Sequence, residues 1–364
     1  MLLVHRLHLL FFLRPLKLAS GLWPENGRYL RTKAHIQIRA NSGASKTSAR
    51  KTLEFQRISV KLSPDALPMI SFLPVRSQVS KSPPLVIVGG SNLVAPYLMR
   101  RLNEKGYTAD VISRRAVAVP EGFRLTQMDL LLARNWIAPE DAIIISLLPT
   151  PVLIQYLPRF IGVRSIITLA VPTKASLRKQ LGITTNPEAL KQALDTWCTR
   201  SNVQYTLLRP AMIYDGVHDR NIAYVVRFVR RLHFYALASP ASGLRQPLHA
   251  DDAAAAIIGA LDNENVYRKT INIAGGEILT CRAMAERIFT SLGQKPRLLM
   301  MPADLLQTGF RWMAEFGLAQ ETAFDDSVFR LVNKDQIRDV SEGLRLLNYS
   351  PRPFTPVAPS EDNT

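Results

Sequence analysis

Leu85-Val-Ile-Val-Gly-Gly-Ser-Asn-Leu-Val-Ala-Pro-Tyr-Leu-Met-Arg-Arg-Leu102 decides the fold. An apolar β-run, Leu85 to Val88, meets a Gly89-Gly90 turn. Helical spacing follows, with Leu93, Val94, Tyr97, Leu98 and Leu102 on one face. Strand, small-residue turn and helix form the unit that holds a dinucleotide pyrophosphate. Backbone N–H groups at the helix start face the anion, and the helix dipole favours it. Glycine lets the backbone come close. Gly89 fits this pattern, but Asn92 and Ala95 stand where further glycines are usual. Asn tolerates a left-handed turn, and Ala still permits close helix–strand packing. An ordinary buried α/β turn is the competing reading.

Outward from this stretch, strand-like and helix-like patterns alternate, as in a parallel sheet with crossover helices. Strands are expected at Leu85–Gly89, Thr108–Ser113, Phe123–Met128, Ala142–Leu148, Ser165–Ala170 and Gln204–Leu208, with short ones at Gln246–Leu248 and Thr270–Ile273. Ala142–Leu148 has no polar alternation, so it reads as buried on both faces. Helices are expected at Asn92–Gly106, Pro151–Phe160 and Asn186–Ser201, then at Asp251–Leu261, Thr280–Leu292, Ala303–Phe316, 323–332 and Lys334–Leu344. Asn186 is the cap of its helix and Pro187 the first helical residue.

The chain has 364 residues and 47% apolar content, enough for one large domain with a lobe or for two domains. It has no run of 18 apolar residues, so no spanning helix is expected. Its two cysteines, Cys198 and Cys281, have no metal spacing and fit a reduced, cytoplasmic compartment. No metal site is expected. Residues 1–84 carry 14 Lys/Arg against 3 Asp/Glu, which is +11 of the net +17. The remainder is only mildly basic and lacks interleaved aromatics, which argues against nucleic acid. The leader reads as a disordered basic tail, an organelle presequence, or sequence upstream of a true start such as Met69. A surface-seeking helix at residues 2–18 is a variant of the first reading.

Several later landmarks agree in order. Asp129-Leu130 follows the third strand, and Tyr205-Thr-Leu-Leu-Arg-Pro210 precedes Ala211-Met-Ile-Tyr214. Leu248-His-Ala-Asp-Asp252, Ile271-Asn-Ile-Ala-Gly-Gly276 and Leu347-Asn-Tyr-Ser-Pro351 complete the set. Together they resemble the extended and atypical short-chain dehydrogenase/reductases, in the nucleotide-sugar epimerase/dehydratase branch. The resemblance covers about residues 85–356.

It implies an α/β fold: a Rossmann-type doubly wound parallel sheet at 85–240, a smaller C-terminal substrate lobe at 241–356 partly interleaved with it, and a tail at 357–364. It implies cofactor contacts at Gly89, Ser91, Asn92, Leu93 and Val94. Further contacts are implied at Asp129, Leu130, Leu147, Lys191, Pro210 and Ile213. Arg114 and Arg115 stand where an acid usually reads the NAD ribose; arginines suit a 2′-phosphate, so NADP is expected before NAD.

The family's Tyr-x-x-x-Lys is where this chain departs. Counting back from Leu208-Arg209-Pro210 places the Lys at Lys191 and the Tyr position at Pro187, which has no ionisable group. Lys191, Thr173 and Tyr214 are then the catalytic candidates, with Tyr205 a further phenol. Asp219, Asn221 and Arg245 are the substrate candidates, Arg245 because a guanidinium matches a diphosphate. Against these stand plainer roles. Lys191, Arg114 and Arg115 could be solvated surface, Asp129 a helix cap and 215–221 an ordinary loop. Asp251 and Asp252 are expected to cap a helix beginning at Ala253, and His249 to be a packed strand residue.

The resemblance implies an NAD(P)-dependent oxidoreductase or epimerase acting on a sugar nucleotide or a related carbonyl/hydroxyl compound, as a homodimer. A non-catalytic NAD(P)-binding subunit or redox sensor is the alternative, motivated by the missing Tyr. A membrane-surface protein tethered by the leader is the third reading.

Overall fold

Seven parallel strands carry the chain. The computed structural model describes residues 83–130, 132–133, 135–170, 186–315 and 331–356, all within a unit running from Arg76 to Thr364. The leader up to residue 82, Thr173, most of the expected helix at 323–332 and the tail lie outside the described residues. The strands are β1 (Leu85–Val88), β2 (Asp110–Ser113), β3 (Arg124–Gln127), β4 (Ile143–Ser146), β5 (Ser165–Leu169), β6 (Gln204–Pro210) and, much later, β11 (Lys269–Ile273). Their order is β11-β6-β5-β4-β1-β2-β3, a Rossmann-type doubly wound sheet. The order reverses at β1, so the crevice falls between the ends of β1 and β4.

Alternate residues of each strand serve opposite faces. Leu85, Ile87, Val111, Ile145 and Leu208 join one core with helices α1 (Ala95–Glu104), α5 (Ala250–Gly259) and α8 (Ser341–Leu347). Val86, Val88, Ile112, Ile144 and Leu207 join the other with α2 (Thr150–Tyr156) and α3 (Pro187–Arg200). Asn186 caps α3 as its sequence suggests, accepting from the Glu188 N–H at 3.0 Å. Gly90 lies so near β2 that an added Cβ would sit 2.6 Å from Val111 Cγ1. At Gly259 a Cβ would strike the Leu347 carbonyl, so α5 and α8 touch through bare backbone.

The lobe interleaves with this layer. Strands β7 (Ile213–Tyr214) and β10 (Leu248–His249) pair in parallel, as do β8 (Tyr235–Ala238) and β13 (Leu298–Met301). Strands β9 (Leu244–Arg245) and β12 (Leu279–Thr280) pair antiparallel. Helices α4 (Ile222–Leu232), α6 (Cys281–Ser291) and α7 (Ala303–Glu315) complete the lobe. Chain beyond residue 240 returns to the sheet as α5, β11 and α8. No helix among the described residues is long and apolar enough to cross a membrane.

Three expectations are corrected. The first helix starts at Ala95, not Asn92, because 90–94 are spent on a turn. The helix expected at Lys334–Leu344 begins only at Ser341. Gln336 bridges to Arg245 and donates its N–H to the Leu244 carbonyl, which holds the preceding chain extended. Helix α5 begins at Ala250, and its cap is His249, whose Nδ1 accepts from the Asp251 N–H at 3.1 Å.

Asp251 and Asp252 are therefore first-turn residues, and their carboxylates hold the layers together. Both are buried. Asp251 takes Arg101 Nε at 2.6 Å and Arg100 at 2.9 Å from α1, and Arg352 at 2.5 Å from the chain's C-terminal strap. Asp252 takes the Arg352 backbone N–H at 2.9 Å and its side chain at 2.8 Å. Burial opposes ionisation of Asp251, but the bonds from Arg101 and Arg352 win and hold its carboxyl well below the usual range. Burial and the Arg352 charge push the His249 imidazole down, so it stays neutral as an acceptor.

Both shifts make the unfolded chain bind more protons on acidification. Stability should be full above about pH 7, fall first below about 6.5 as unfolded His249 charges, and fall again below about 4 as Asp251 protonates. Asn at position 249 keeps a capping oxygen but cannot titrate, so H249N should abolish the first stage. D251N leaves Arg101 and Arg352 facing one another and should cost about 3 kcal/mol at pH 7. Urea unfolding between pH 7.5 and 3.5 checks both; a flat wild-type profile from 7.5 to 5 would refute the His249 assignment.

Candidate functional site at the C-terminal edge of the sheet

The β1–α1 turn sits at the crevice. Gly89, at φ +97°, donates to the Ile112 carbonyl at 2.9 Å, and Gly90 donates to the same oxygen at 3.1 Å. Asn92 stitches the turn together. Its Nδ2 donates to the Leu147 carbonyl at 2.9 Å, beyond β4, while its Oδ1 accepts the Val94 N–H at 3.0 Å. The Ala95 N–H goes to the Asn92 carbonyl at 3.0 Å, and Pro96 has none to give. Asn92 thus holds the turn shape for which other sequences use glycine, and three amides near the helix start are bonded or absent.

Arg114 and Arg115 follow β2 and are exposed, with buried Ser113 Oγ accepting the Arg115 N–H at 3.3 Å. Tyr156 lies within reach of the charges of Asp129, Arg159 and Arg114; burial and Asp129 push its phenol up to about 12. Asp129 is half-buried, and its carbonyl takes the Leu132 and Ala133 N–H groups in a turn rather than a helix. Leu130 and Leu147 are core residues, and Ser91 is exposed. Lys191 is half-buried on α3, one turn past Pro187.

One cavity of about 800 Å³ opens along this edge. At one end it is lined by Asn92, Leu93 and Val94 of the turn, Ala170 after β5 and Pro210 of β6. At the other it runs into the lobe, past Ile213, Asn221, Arg245 and Gln246. The structure therefore brings together seven of the sequence candidates: Asn92, Leu93, Val94, Pro210, Ile213, Asn221 and Arg245. It adds Arg220 and Arg338, which sequence reasoning passed over. Arg220 stands inside the polar 215–221 run, and Arg338 inside the stretch expected to be helical.

The other described candidates, Lys191 among them, are not among the lining residues. Tyr214 is fully buried, edge-on to His249 and Phe354, and its hydroxyl accepts the Thr355 N–H at 3.0 Å. It does not line the cavity, so packing takes the place of the proton-handling role expected of it. Tyr205 is likewise buried, and burial pushes its phenol up to about 12. Asp219 is buried under its own loop. Its oxygens accept the N–H groups of Gly216 at 2.8 Å, Asn221 at 2.8 Å and Ile222 at 2.6 Å, capping α4 rather than meeting a ligand. Asp215 supports the same loop through the Val217 and His218 amides. Arg245 reaches the cavity but directs its guanidinium to the carbonyls of Leu244, Lys334 and Leu331 at 2.6–2.9 Å.

The fold is shared with solved epimerases, several of them UDP-sugar epimerases. An epimerase from Methanothermobacter thermautotrophicus matches 76% of this chain and 89% of its own, with TM-score 0.54 and 11% identity. UDP-glucuronic acid 4-epimerase from Bacillus cereus, solved with UDP-glucuronic acid and NAD, matches 73% and 93%, with TM-score 0.51 and 13% identity. UDP-glucose 4-epimerase from Thermotoga maritima, solved with UDP-glucose, gives the same coverages, TM-score and identity. No family model matches the chain. Among curated proteins, it is 31% identical over 98 residues to NADH dehydrogenase [ubiquinone] 1 alpha subcomplex subunit 9, mitochondrial, from Arabidopsis thaliana. That match spans 27% of this chain and only 24% of the relative's length.

The Asn92 carboxamide makes the turn's shape testable. N92A removes two partly buried hydrogen bonds and should cost about 2 kcal/mol in urea unfolding. N92G, which restores flexibility but not the bonds, should recover little of it. Full recovery by Gly would mean that backbone conformation, not the carboxamide, holds the turn.

Proposed function

We propose that this chain is an NADP-dependent oxidoreductase or epimerase-like protein acting on a carbonyl or hydroxyl compound. One observation carries the reading: a single cavity joins the dinucleotide turn to the lobe. Hydride transfer needs the dinucleotide and substrate to share such a space. The cofactor would lie across the ends of β1 and β4, against Gly89 and Asn92–Val94. Solved neighbours of this fold bind NAD, and the exposed arginines after β2 favour the 2′-phosphate of NADP here, since a guanidinium fork matches phosphate oxygens. Lys191 would hold the ribose. A sugar nucleotide, as in the solved neighbours, is one substrate within this class.

A second reading is favoured by specific features. Pro187 heads α3, and both Tyr205 and Tyr214 are buried. A chain that binds a dinucleotide without an acid/base phenol would serve as a non-catalytic subunit, and the match to an NADH dehydrogenase subunit fits that role.

Thermal unfolding with NADPH, NADH or neither tests the shared premise. A ligand at 100 times its Kd adds about 2.7 kcal/mol to unfolding. NADPH should raise Tm more than NADH, and R114A/R115A should erase the difference. No rise with either cofactor would sink both readings. A rise without NADPH oxidation across a panel of carbonyl compounds would select the non-catalytic one.

A further inference from the structure

We infer that the lobe end of this cavity takes an anionic amphiphile: a phosphate or carboxylate head on a flexible hydrocarbon tail. Charge is the first ground. Arg220, Arg245 and Arg338 line the cavity, and none of the described residues that line it is an Asp or Glu. Among the described residues none of the three makes a salt bridge to a carboxylate. Arg245 is more than nine-tenths buried, and its hydrogen-bond partners among the described residues are all main-chain carbonyls. Carbonyls solvate a guanidinium but carry no net charge, so the wall is left cationic where burial makes an uncompensated charge costly. Exposed Arg220 and Arg338 add two more cations to the same wall. An anionic head answers all three.

The rest of the lobe wall is the second ground. Met212, Val225, Leu237, Met284, Ile288 and Val332, from α4, α6, β8 and the adjoining segments, make much of it apolar, beside Asn221, Tyr224, Tyr235 and Gln336. Thioether and aliphatic surface adapts to a hydrocarbon chain and offers nothing to a ring of hydroxyls. The deep carboxamide, Gln246, is already used: Nε2 donates to the Gly275 carbonyl at 3.2 Å, and Oε1 accepts the Arg338 N–H at 3.4 Å. A hydrocarbon tail would cover these apolar side chains.

The inference rests on reading this cavity as substrate space, but its test uses no dinucleotide, so the two can fail separately. Calorimetric titration of the full chain compares butyl and octyl phosphate, below their micellar concentrations, with inorganic phosphate, octanol and UDP-glucose. Each buried methylene is worth roughly a factor of four in affinity. Octyl phosphate should bind at least tenfold tighter than butyl phosphate, inorganic phosphate or octanol. The double variant R220Q/R338Q, at exposed positions where folding is not at stake, should weaken octyl phosphate tenfold or more and leave octanol unchanged. V225Q should flatten the dependence on tail length. Affinity independent of tail length, binding that survives both variants, or UDP-glucose binding tighter than octyl phosphate would overturn the proposal.

Discussion

A parallel sheet buried on both faces is the constraint from which the rest follows. No strand of such a sheet can show alternate residues to water, so the central strands are continuously apolar and helices must cover both sides. That coverage forces each strand to run in the same direction and each crossover to leave from the same edge. The loops after β1, β5 and β6 therefore converge, and the cavity forms where they do. Apolar side chains of Ile143–Ile145 and Ile166–Ile167 thus hold the strands whose ends bring Asn92, Ala170 and Pro210 to one cavity.

Sheet burial alone does not say how the lobe attaches. The charged cluster beneath His249 does. Three arginines from two separate parts of the chain meet two carboxylates on the first turn of α5. The helix's own amides favour negative charge there. The strap that supplies Arg352 also ties Tyr349 to both backbone groups of Ala274, and lends the Thr355 N–H to Tyr214. Sheet, α1 and lobe are in this way locked by residues far apart in sequence, and the cavity wall inherits its rigidity from them.

This division explains what could be read from sequence. Local physics was legible. Apolar runs placed the six early strands to within a few residues, Asn186-Pro187 marked a helix start, and Gly89 marked the turn. Side-chain destinations set by distant partners were not. Asp251 and Asp252 look like helix caps until Arg352, a hundred residues on, is seen to bind them. Tyr214 looks like a spare phenol until His249, Phe354 and Thr355 enclose it. Asp219 looks like a ligand group, yet its own loop consumes both oxygens. Helix α4 is absent from the sequence reading, although Ile222, Val226 and Val229 stand at helical spacing.

The same reasoning separates what this cavity shares with its structural neighbours from what it does not. Fold dictates the edge at which a ligand enters, since every parallel α/β sheet gathers its loops there. It does not dictate the chemistry of the far wall, which comes from lobe elements tied to this chain's own contacts. Arg245 illustrates the point. Its guanidinium fastens β9 to the chain at Leu331 and Lys334, and in doing so carries a charge to the cavity that no described carboxylate offsets. A structural fastening has become an electrostatic feature of the site. The apolar residues opposite are there because α4 and α6 must pack on each other. A ligand able to satisfy both, charge on one side and hydrocarbon on the other, is the one for which the lobe needs no rearrangement.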